Sequence, residues 1–452
     1  MIGGTALDDY DNAVTHRCRG GCGLYRIILQ RDSVDPALIS LVVAFSLAGS
    51  VMGLLTGLIP GIHVNTLASL LLVGYPAIAG ALQELIPGSW IPVGVCCLIM
   101  SASVVHSFVD FVPSVFIGAP DADTALSVLP GHRLLLRGEG MKAVRAAAVG
   151  SLVGCTSALL LALPLQYIMS YGVSDAMDRI TKIVLLIVSG VLLMNEYRKG
   201  NLLYGTAAFV LSGALGYAVM KMPIPASGIL GEGTLLMPML TGLFGLPTMI
   251  MASKGHPFPA QKECRGDPVG PIPGLKGVIM GTVAGWFPGI TSTVGATVSA
   301  TIMPDRSPER FISTVASIGT VTSVLSLVTL SVSGGGRSGT VIVIGQILGD
   351  SIRGTATEPF ILLLLAAAVG SLLGYFLTIR SAEVMCGLVS RVPQNLMNRA
   401  VIAFLVLMVV ATTGLWGIVI LASALAIGLI PVSAENGKTV LCGCLILPVL
   451  LM

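Results

Sequence analysis

The sequence predicts an all-α polytopic membrane protein, and three observations carry that prediction. Of its 452 residues only 25 are Lys or Arg and 22 are Asp or Glu, whereas 54% are hydrophobic and the mean hydropathy is +0.92. A surface with about half the usual charge density cannot be wetted, so most of it must face lipid. The apolar residues come in long runs rather than in alternation, which selects helices over a β-barrel, because a backbone in lipid must satisfy its own hydrogen bonds. Finally, 55 Gly and 25 Pro in such a chain point to close helix packing and to helices broken inside the bilayer. The net charge of +3 is scattered, with no basic stripe, so a nucleic-acid partner is excluded. Cell-membrane localisation with many passes follows.

Residues 1–36 read as a polar N-terminal tail ending in Asp35-Pro36; they hold no apolar stretch of signal-peptide type, so the first span acts as its own insertion signal. Cys18 and Cys22 lie in this tail, but no His or Cys pair follows at zinc-finger spacing, and a disordered tail is the favoured reading. Most of the other cysteines sit in apolar runs as small hydrophobes, without a disulfide framework. Apolar runs lie near 37–57, 62–80, 91–118, 146–169, 181–194, 201–220 and 231–251, a first transmembrane repeat over 37–251. The hydrophilic linker 252–274 carries Lys254, His256, Lys262, Glu263, Arg265 and Asp267 among five prolines. Further runs near 275–303, 311–332, 339–349, 356–379, 400–411, 413–431 and 439–452 form a second repeat with C-terminal helices over 275–452. Several are too short to span alone, as re-entrant or discontinuous helices are.

The interruptions repeat. Residues 53–62 read GLLTGLIPGI and 281–290 read GTVAGWFPGI, so Gly53, Gly57, Pro60, Gly61 and Ile62 recur as Gly281, Gly285, Pro288, Gly289 and Ile290 at an offset of 228. His63, Asn65 and Thr66 follow the first break; Thr291, Ser292 and Thr293 follow the second. Proline removes a backbone donor and glycine relaxes the turn, so each helix stops with free carbonyls and the next starts with free amides. Such amides suit an anion, and the carbonyls with nearby side-chain oxygens suit a sodium ion. Simple glycine-packed kinks are the bland alternative, but kinks do not need polar residues directly after both breaks.

A second constellation lies downstream in each half. His106 and Asp110 stand four residues apart in an apolar span, followed by a break with Gly118, Pro120, Asp121 and Asp123. An intramembrane acid is costly unless paired or wetted, so Asp110 is either functional or a helix-stapling partner of His106. The two residues fall short of the three protein ligands of a catalytic metal site, so they name no metal. In the second half Gly334, Gly335 and Gly336 precede Arg337, which is either a close-packed turn or a guanidinium set to recognise a carboxylate.

These residues carry a resemblance. GLLTGLIPGIHVNTLASLL, the following SFVDFVPSVFIGAPDADTALSVLPGHRLLLRGEGMKAVRAAAVGSLVG, LLMPMLTGLFGLPTMIMAS and GTVAGWFPGITSTVGA occur in an order similar to that of the large membrane subunit of the tripartite tricarboxylate transporters, across most of residues 40–350. The chain resembles a divergent branch: Pro120-Asp121 replaces a Pro-Gly pair, Pro130-Gly131 lacks a preceding acid, and GGGRSG replaces a Gly-x-Pro-Gly turn. The resemblance implies two inverted repeats and a secondary transporter, not an enzyme, that moves small organic carboxylates with sodium ions or protons as the coupling ion and no other cofactor. It also implies a small membrane subunit and an extracytoplasmic solute-binding protein as partners. Carried over, the substrate site falls on Gly57, Pro60, Gly61, His63, Asn65 and Thr66 and on Gly285, Pro288, Gly289, Thr291, Ser292 and Thr293, with Arg337 nearby and His106 and Asp110 as a coupling or polar network. His63 stands where the family usually has a small residue and is either a proton carrier or a neutral donor.

A flippase for a phosphate-bearing polyprenyl lipid is the competing reading, since paired anion-binding helix starts would serve a phosphate too. An intramembrane enzyme built on His106 and Asp110 lacks both a nucleophile motif and a third ligand. The segment 133–145 carries Arg133, Arg137, Lys142 and Arg145 against Glu139 alone, which places it in the cytoplasm.

Overall fold

The computed structural model describes residues 35–452 except 60–62, 119–123, 222, 224, 230, 233–234, 248–249, 251–258, 288–291, 337, 390–393, 434–437 and 452. The chain divides into a unit ending at Leu41 and a unit from Val42 onward. In the first, Asp35 Oδ1 accepts from the Ala37 amide at 2.8 Å and opens helix α1, Pro36–Leu58.

Among its described residues the second unit is built of helices joined by turns and coil, with one short hairpin, Ser227–Gly228 against Gly231–Glu232. After α1 come α2 (Val64–Val73), α3 (Tyr75–Leu82), α4 (Ile91–Val109), α5 (Phe111–Phe116), α6 (Val128–Leu135), α7 (Gly140–Ile168), α8 (Ser174–Arg198), α9 (Leu202–Lys221) and α10 (Leu236–Leu240). The second half supplies α11 (Pro271–Trp286), α12 (Ser292–Ile302), α13 (Pro308–Ser333), α14 (Gly339–Leu348), α15 (Glu358–Val389), α16 (Gln394–Ser433) and α17 (Gly443–Leu450). Among the described residues seven helices are long and apolar enough to cross a membrane, or eight if α2 and α3, bent by 65°, count as one span. The protein is thus an all-α, multi-pass membrane protein. Helix α11 starts inside the segment read as linker, and Gly414, at φ 65°, interrupts α16 at the start of the second of the two apolar runs expected there.

Small residues set how the helices pack. On α1, Gly49, Gly53 and Gly57 lie against Leu98, Ala102 and Val109 of α4, so closely that a Cβ on any of them would collide. On α11, Gly277, Gly281 and Gly285 lie against Thr314, Val321 and Leu325 of α13 in the same way. Contacts that advance together along both helices mean that α1 runs with α4, and α11 with α13. The segments between must therefore carry the chain back. Helix α12 does so beside α11, where a Cβ on Gly295 would meet the Met280 carbonyl and Ala284 at 3.5 Å. Its 11 residues reach about 16 Å, well short of the hydrocarbon thickness.

Two further contacts join the halves. Gly150 and Gly154 of α7 pack on Ser313 and Ser317 of α13, and Gly370 and Gly374 of α15 pack on Ser101 and Phe108 of α4. Buried hydroxyls of α13 replace water as partners for backbone carbonyls: Thr320 Oγ1 donates across the seam to Ser151 O at 3.1 Å, and within the second half Ser317 Oγ donates to Gly274 O at 2.6 Å and Thr329 Oγ1 to Gly285 O at 3.0 Å. Fully buried Gln166, at the end of α7, ties three chain segments together. Its Nε2 donates to Ser331 Oγ (2.7 Å) and Gly354 O (3.0 Å), and its Oε1 accepts from the Ala356 amide (2.9 Å). Helix α15 therefore begins where α7 and α13 end, and it runs opposite to both. At the other end Arg145 of α7 approaches Glu383 of α15 (3.9 Å), Lys142 pairs with Glu309 (3.0 Å) and Lys276 with Asp305 (2.9 Å).

Candidate functional site

Helix α1 ends at Leu58, and α2 is capped at its start by His63, whose backbone is extended (φ −80°, ψ 148°). His63 caps its own helix: the ring Nδ1 accepts from the Asn65 amide at 3.0 Å, and the His63 carbonyl accepts from Thr66 N at 3.0 Å. Because the ring has taken that amide, the Asn65 side chain is turned elsewhere. Its Oδ1 accepts from the Thr340 amide at 3.0 Å, at the start of α14 in the other half. The approach is close enough that a Cβ on Gly339 would lie 2.7 Å from the Asn65 side chain. Ser338 completes that helix start, its Oγ accepting from Val341 N (3.3 Å) and lying 3.0 Å from Thr340 Oγ1.

A second layer comes from α4 and α1. The rings of His63 and His106 are 4.9 Å apart, inclined by 53°. His106 Nδ1 is 3.1 Å from Thr56 Oγ1, and Thr56 Oγ1 donates to Gly53 O at 3.2 Å. Ser103 Oγ, one turn before His106, is 3.4 Å from Thr340 Oγ1. His106 and Asp110 are each only 4% exposed, so Asp110 faces protein rather than lipid, as its isolation in an apolar run led us to expect. The result is a polar node of two imidazoles, a carboxamide and hydroxyls, surrounded by apolar helix faces and fed by both halves of the chain.

The flank of the second break is built from hydroxyls. Ser292 and Thr293 are buried at the start of α12, and Thr297 Oγ1 donates back to Thr293 O at 2.9 Å. Helix α12 packs on the 3-10 turn Ala125–Ser127 that follows the loop after α5. Gly285 is buried against α13, its carbonyl held by Thr329.

Of the residues singled out from the sequence, His63, Asn65 and His106 thus meet around one node, with Gly57 packed against Val109 on its α1 side and Asp110 buried one turn after His106. Pro60, Gly61, Pro288, Gly289, Thr291, Arg337, Pro120, Asp121 and Asp123 lie outside the described residues. Thr56, Ser103, Ser338, Thr340 and Gln166 were not legible as site residues: each is a common polar residue in an apolar helix, and only the fold brings it to a partner. Thr340 carries a faint signal, since GAPDADT and GGGRSGT begin with Gly and end with Thr at the same spacing.

A family model, Tripartite tricarboxylate transporter TctA family, matches residues 43–441. The chain belongs to that family. A curated relative, the uncharacterized protein MJ1079 of Methanocaldococcus jannaschii, is 27% identical over 415 residues, covering 90% of this chain and 98% of its own. No solved structure matches. The TctA family names components of tricarboxylate transporters, and its match over nearly the whole chain identifies this multi-pass protein as a membrane permease component.

Proposed function

We propose that the protein is a secondary active transporter that moves small di- or tricarboxylates across the cell membrane, coupled to sodium ions or protons and working without a resident cofactor. The observation that carries the reading is the node itself: the α2 start in the first half and the α14 start in the second meet through Asn65 and Thr340, with His63, His106 and Ser103 around them. A helix start held by a side chain from the opposite half is a joint whose opening would move one half against the other.

We read the chain as two inverted repeats, 37–251 and 275–452, joined by the linker 252–274, with paired re-entrant breaks. Supporting this, α1 and α11 share glycines at an offset of 228, and the later segments align at 216. Gly118 and Gly334 both have φ 73°, and Gly138 and Gly354 have φ 76° and 110°. Gly154 packs on Ser317 while Gly370 packs on Ser101, so residues 216 apart exchange places across the seam, as a two-fold axis requires. Corresponding helices α4 and α13 run in opposite directions, which favours an axis in the membrane plane. On this reading the substrate is shared between the Gly57–Thr66 and Gly285–Thr293 breaks with Arg337, and the basic segment 133–145 is cytoplasmic. A small membrane subunit and a solute-binding protein are the partners the family's tripartite assembly suggests.

The test is uptake and thermal stabilisation of the purified protein with di- and tricarboxylates and with polyprenyl phosphates, each with and without sodium. Saturable carboxylate uptake supports the reading. Stabilisation by the lipid phosphate alone would transfer the site to a flippase.

A further inference from the structure

At the end of the helix bundle that carries the basic segment 133–145, the linker is fastened to the turn between α6 and α7. Gln261 Nε2 donates to Leu135 O (3.1 Å), the Gly140 amide donates to Gln261 Oε1 (3.0 Å) and the Lys262 amide to Gly138 O (2.7 Å). Gly138 permits the approach: its φ is 76°, and a Cβ there would lie 2.7 Å from the Ala260 carbonyl oxygen. Held in this way, residues 261–265 wall a cavity of about 320 Å³. Its other walls are Met141 and Arg145 of α7 and Glu383 and Cys386 near the end of α15. The first half, the linker and the second half thus each contribute a side. The volume lies at the small end of ligand pockets, about 300–1,000 Å³.

Charge around the cavity is mostly matched. Lys142, Lys276, Arg265 and Arg380 each have a carboxylate oxygen within 3.0 Å. Arg145 is different: it lies 3.9 Å from Glu383, beyond hydrogen-bond reach, and Glu383 takes its hydrogen bond from Arg380 instead. The Arg145 side chain is only 17% exposed, and its Nε is buried without an acceptor among the described residues. A guanidinium so placed pays for desolvation with nothing in return. Lys262, exposed on the linker, has no carboxylate partner for its ammonium among the described residues either. Two cations on one cavity are therefore left over once its carboxylates are assigned. Between them Met141, Cys264 and Cys386 give the wall an apolar part that suits a short carbon chain.

We propose that this cavity is an anion site, separate from the helix-start node, that takes a small dianionic oxyanion, a dicarboxylate or a phosphate, between Arg145 and Lys262. The guanidinium fork matches two oxygens of a carboxylate or phosphoryl group, and the ammonium supplies a point charge for the second negative charge. A monoanion leaves one cation unmatched and binds more weakly. A bound dianion joins α7 to the linker at a point that α15 also walls, so occupancy tightens the connection between the halves. The site does not depend on the carboxylate-transport reading, which concerns the node.

Cys264 and Cys386 line the cavity and report its occupancy. The purified full chain is alkylated with an uncharged, water-soluble maleimide, and each cysteine is read separately by peptide mass spectrometry. Succinate and inorganic phosphate are the probes, above the second ionisation of each, with sodium chloride at equal ionic strength as the control. At about ten times the dissociation constant of a bound probe, Cys264 labelling should slow about tenfold, and chloride should leave it unchanged. Protection by succinate alone identifies a carboxylate site, by phosphate alone a phosphoryl site, and by both a general oxyanion site. Lys262→Gln and Arg145→Gln should each raise the concentration for half-protection about tenfold, and Arg145→Lys, which keeps the charge without the fork, should raise it less. Slow labelling of buried Cys155 shows that each variant is folded. Absence of protection by both probes overturns the proposal, as does protection that survives both Lys262→Gln and Arg145→Gln. Protection that Asn65→Ala abolishes while those two variants retain it would place the anion at the node instead.

Discussion

With the two offsets applied, Thr322 stands in the second half where His106 stands in the first, Ser326 where Asp110 stands, Thr291 where His63 stands and Ala284 where Thr56 stands. Thr322 Oγ1 donates to Ile318 O at 2.7 Å and reaches Gly281 O of α11 at 3.4 Å, and Ser326 Oγ donates to Ser323 O at 2.8 Å. On the proposed repeat, one backbone arrangement would carry two chemistries at these positions, ionisable in the first half and hydroxyl-only in the second. On that reading, the difference teaches that the backbone arrangement does not depend on the charged groups. Glycine contacts and back-bonded hydroxyls build both halves, and the imidazoles are an addition to one of them.

The comparison breaks most readily where each half secures the start of a long helix. Gln166 holds Gly354, Ser331 and Ala356 from inside the protein; Gln261, on the partly exposed linker, holds the Gly140 amide (3.0 Å) and the Leu135 carbonyl (3.1 Å). Removing Gln166 leaves several buried groups without partners, so Gln166→Ala should lower stability by about 3 kcal/mol. Water can replace Gln261, and Gln261→Ala should cost about 1 kcal/mol. Thermal unfolding in detergent measures both, and equal losses would show that the two helix starts are equally buried in function.

The two halves of the seam come next. A Cβ on Gly154 would lie 2.6 Å from Ser317 Oγ and 2.8 Å from its carbonyl, whereas on Gly370 it would lie 3.0 Å from the Ser101 oxygens. Gly154→Ala should therefore destabilise by about 2 kcal/mol and Gly370→Ala by about 1 kcal/mol, within the usual range for overpacking. A larger loss at Gly370 would mean that α15 yields less easily than α7 and that the near-symmetry hides a stiffer second half.

How much of this was legible follows from the same comparison. Long apolar runs predicted the helices, because lipid forces that pattern on any sequence, whereas Pro60, Gly61, Pro288 and Gly289 of the expected breaks lie outside the described residues. The 228 offset was visible since its identities are Gly and Pro. The shift to 216 was not: the first half holds α3 and the turn Gly88–Trp90 between its returning helix and α4, whereas only the short segment 303–307 separates α12 from α13. Nor did Asn65 announce its partner. Its position beside a helix start suggested a cap for that helix, and only the His63 ring on that amide explains why the carboxamide reaches Thr340 instead.

Asn65→Ala and Thr293→Ala probe this point in the two halves. Loss of the Asn65 bond to Thr340 should cost about 1 kcal/mol. If Asn65 also serves the substrate, the carboxylate or sodium concentration needed for half-maximal stabilisation should rise as well, and Thr293→Ala should do the same at the second break. A loss of stability with unchanged concentration dependence would reduce both residues to helix caps.

The smallest effect concerns Ala356, whose φ of 54° is the positive value among described non-glycine residues. It corresponds to Gly140, and both amides are held by a glutamine carbonyl oxygen, from Gln166 and Gln261 respectively. An alanine Cβ in the left-handed region costs about 1–2 kcal/mol, while a glycine loses more backbone entropy on folding. The first effect exceeds the second here because Gln166 already holds the conformation. Ala356→Gly should then raise stability by about 0.5–1 kcal/mol, read as a small upward shift in melting temperature. In the background of Gln166→Ala the same substitution should help more, since glycine can follow the released segment into other conformations that still satisfy its amide. An unchanged or lowered melting temperature for Ala356→Gly would show that the alanine is not strained, and that Gln166 confirms a conformation the segment adopts unaided rather than imposing one.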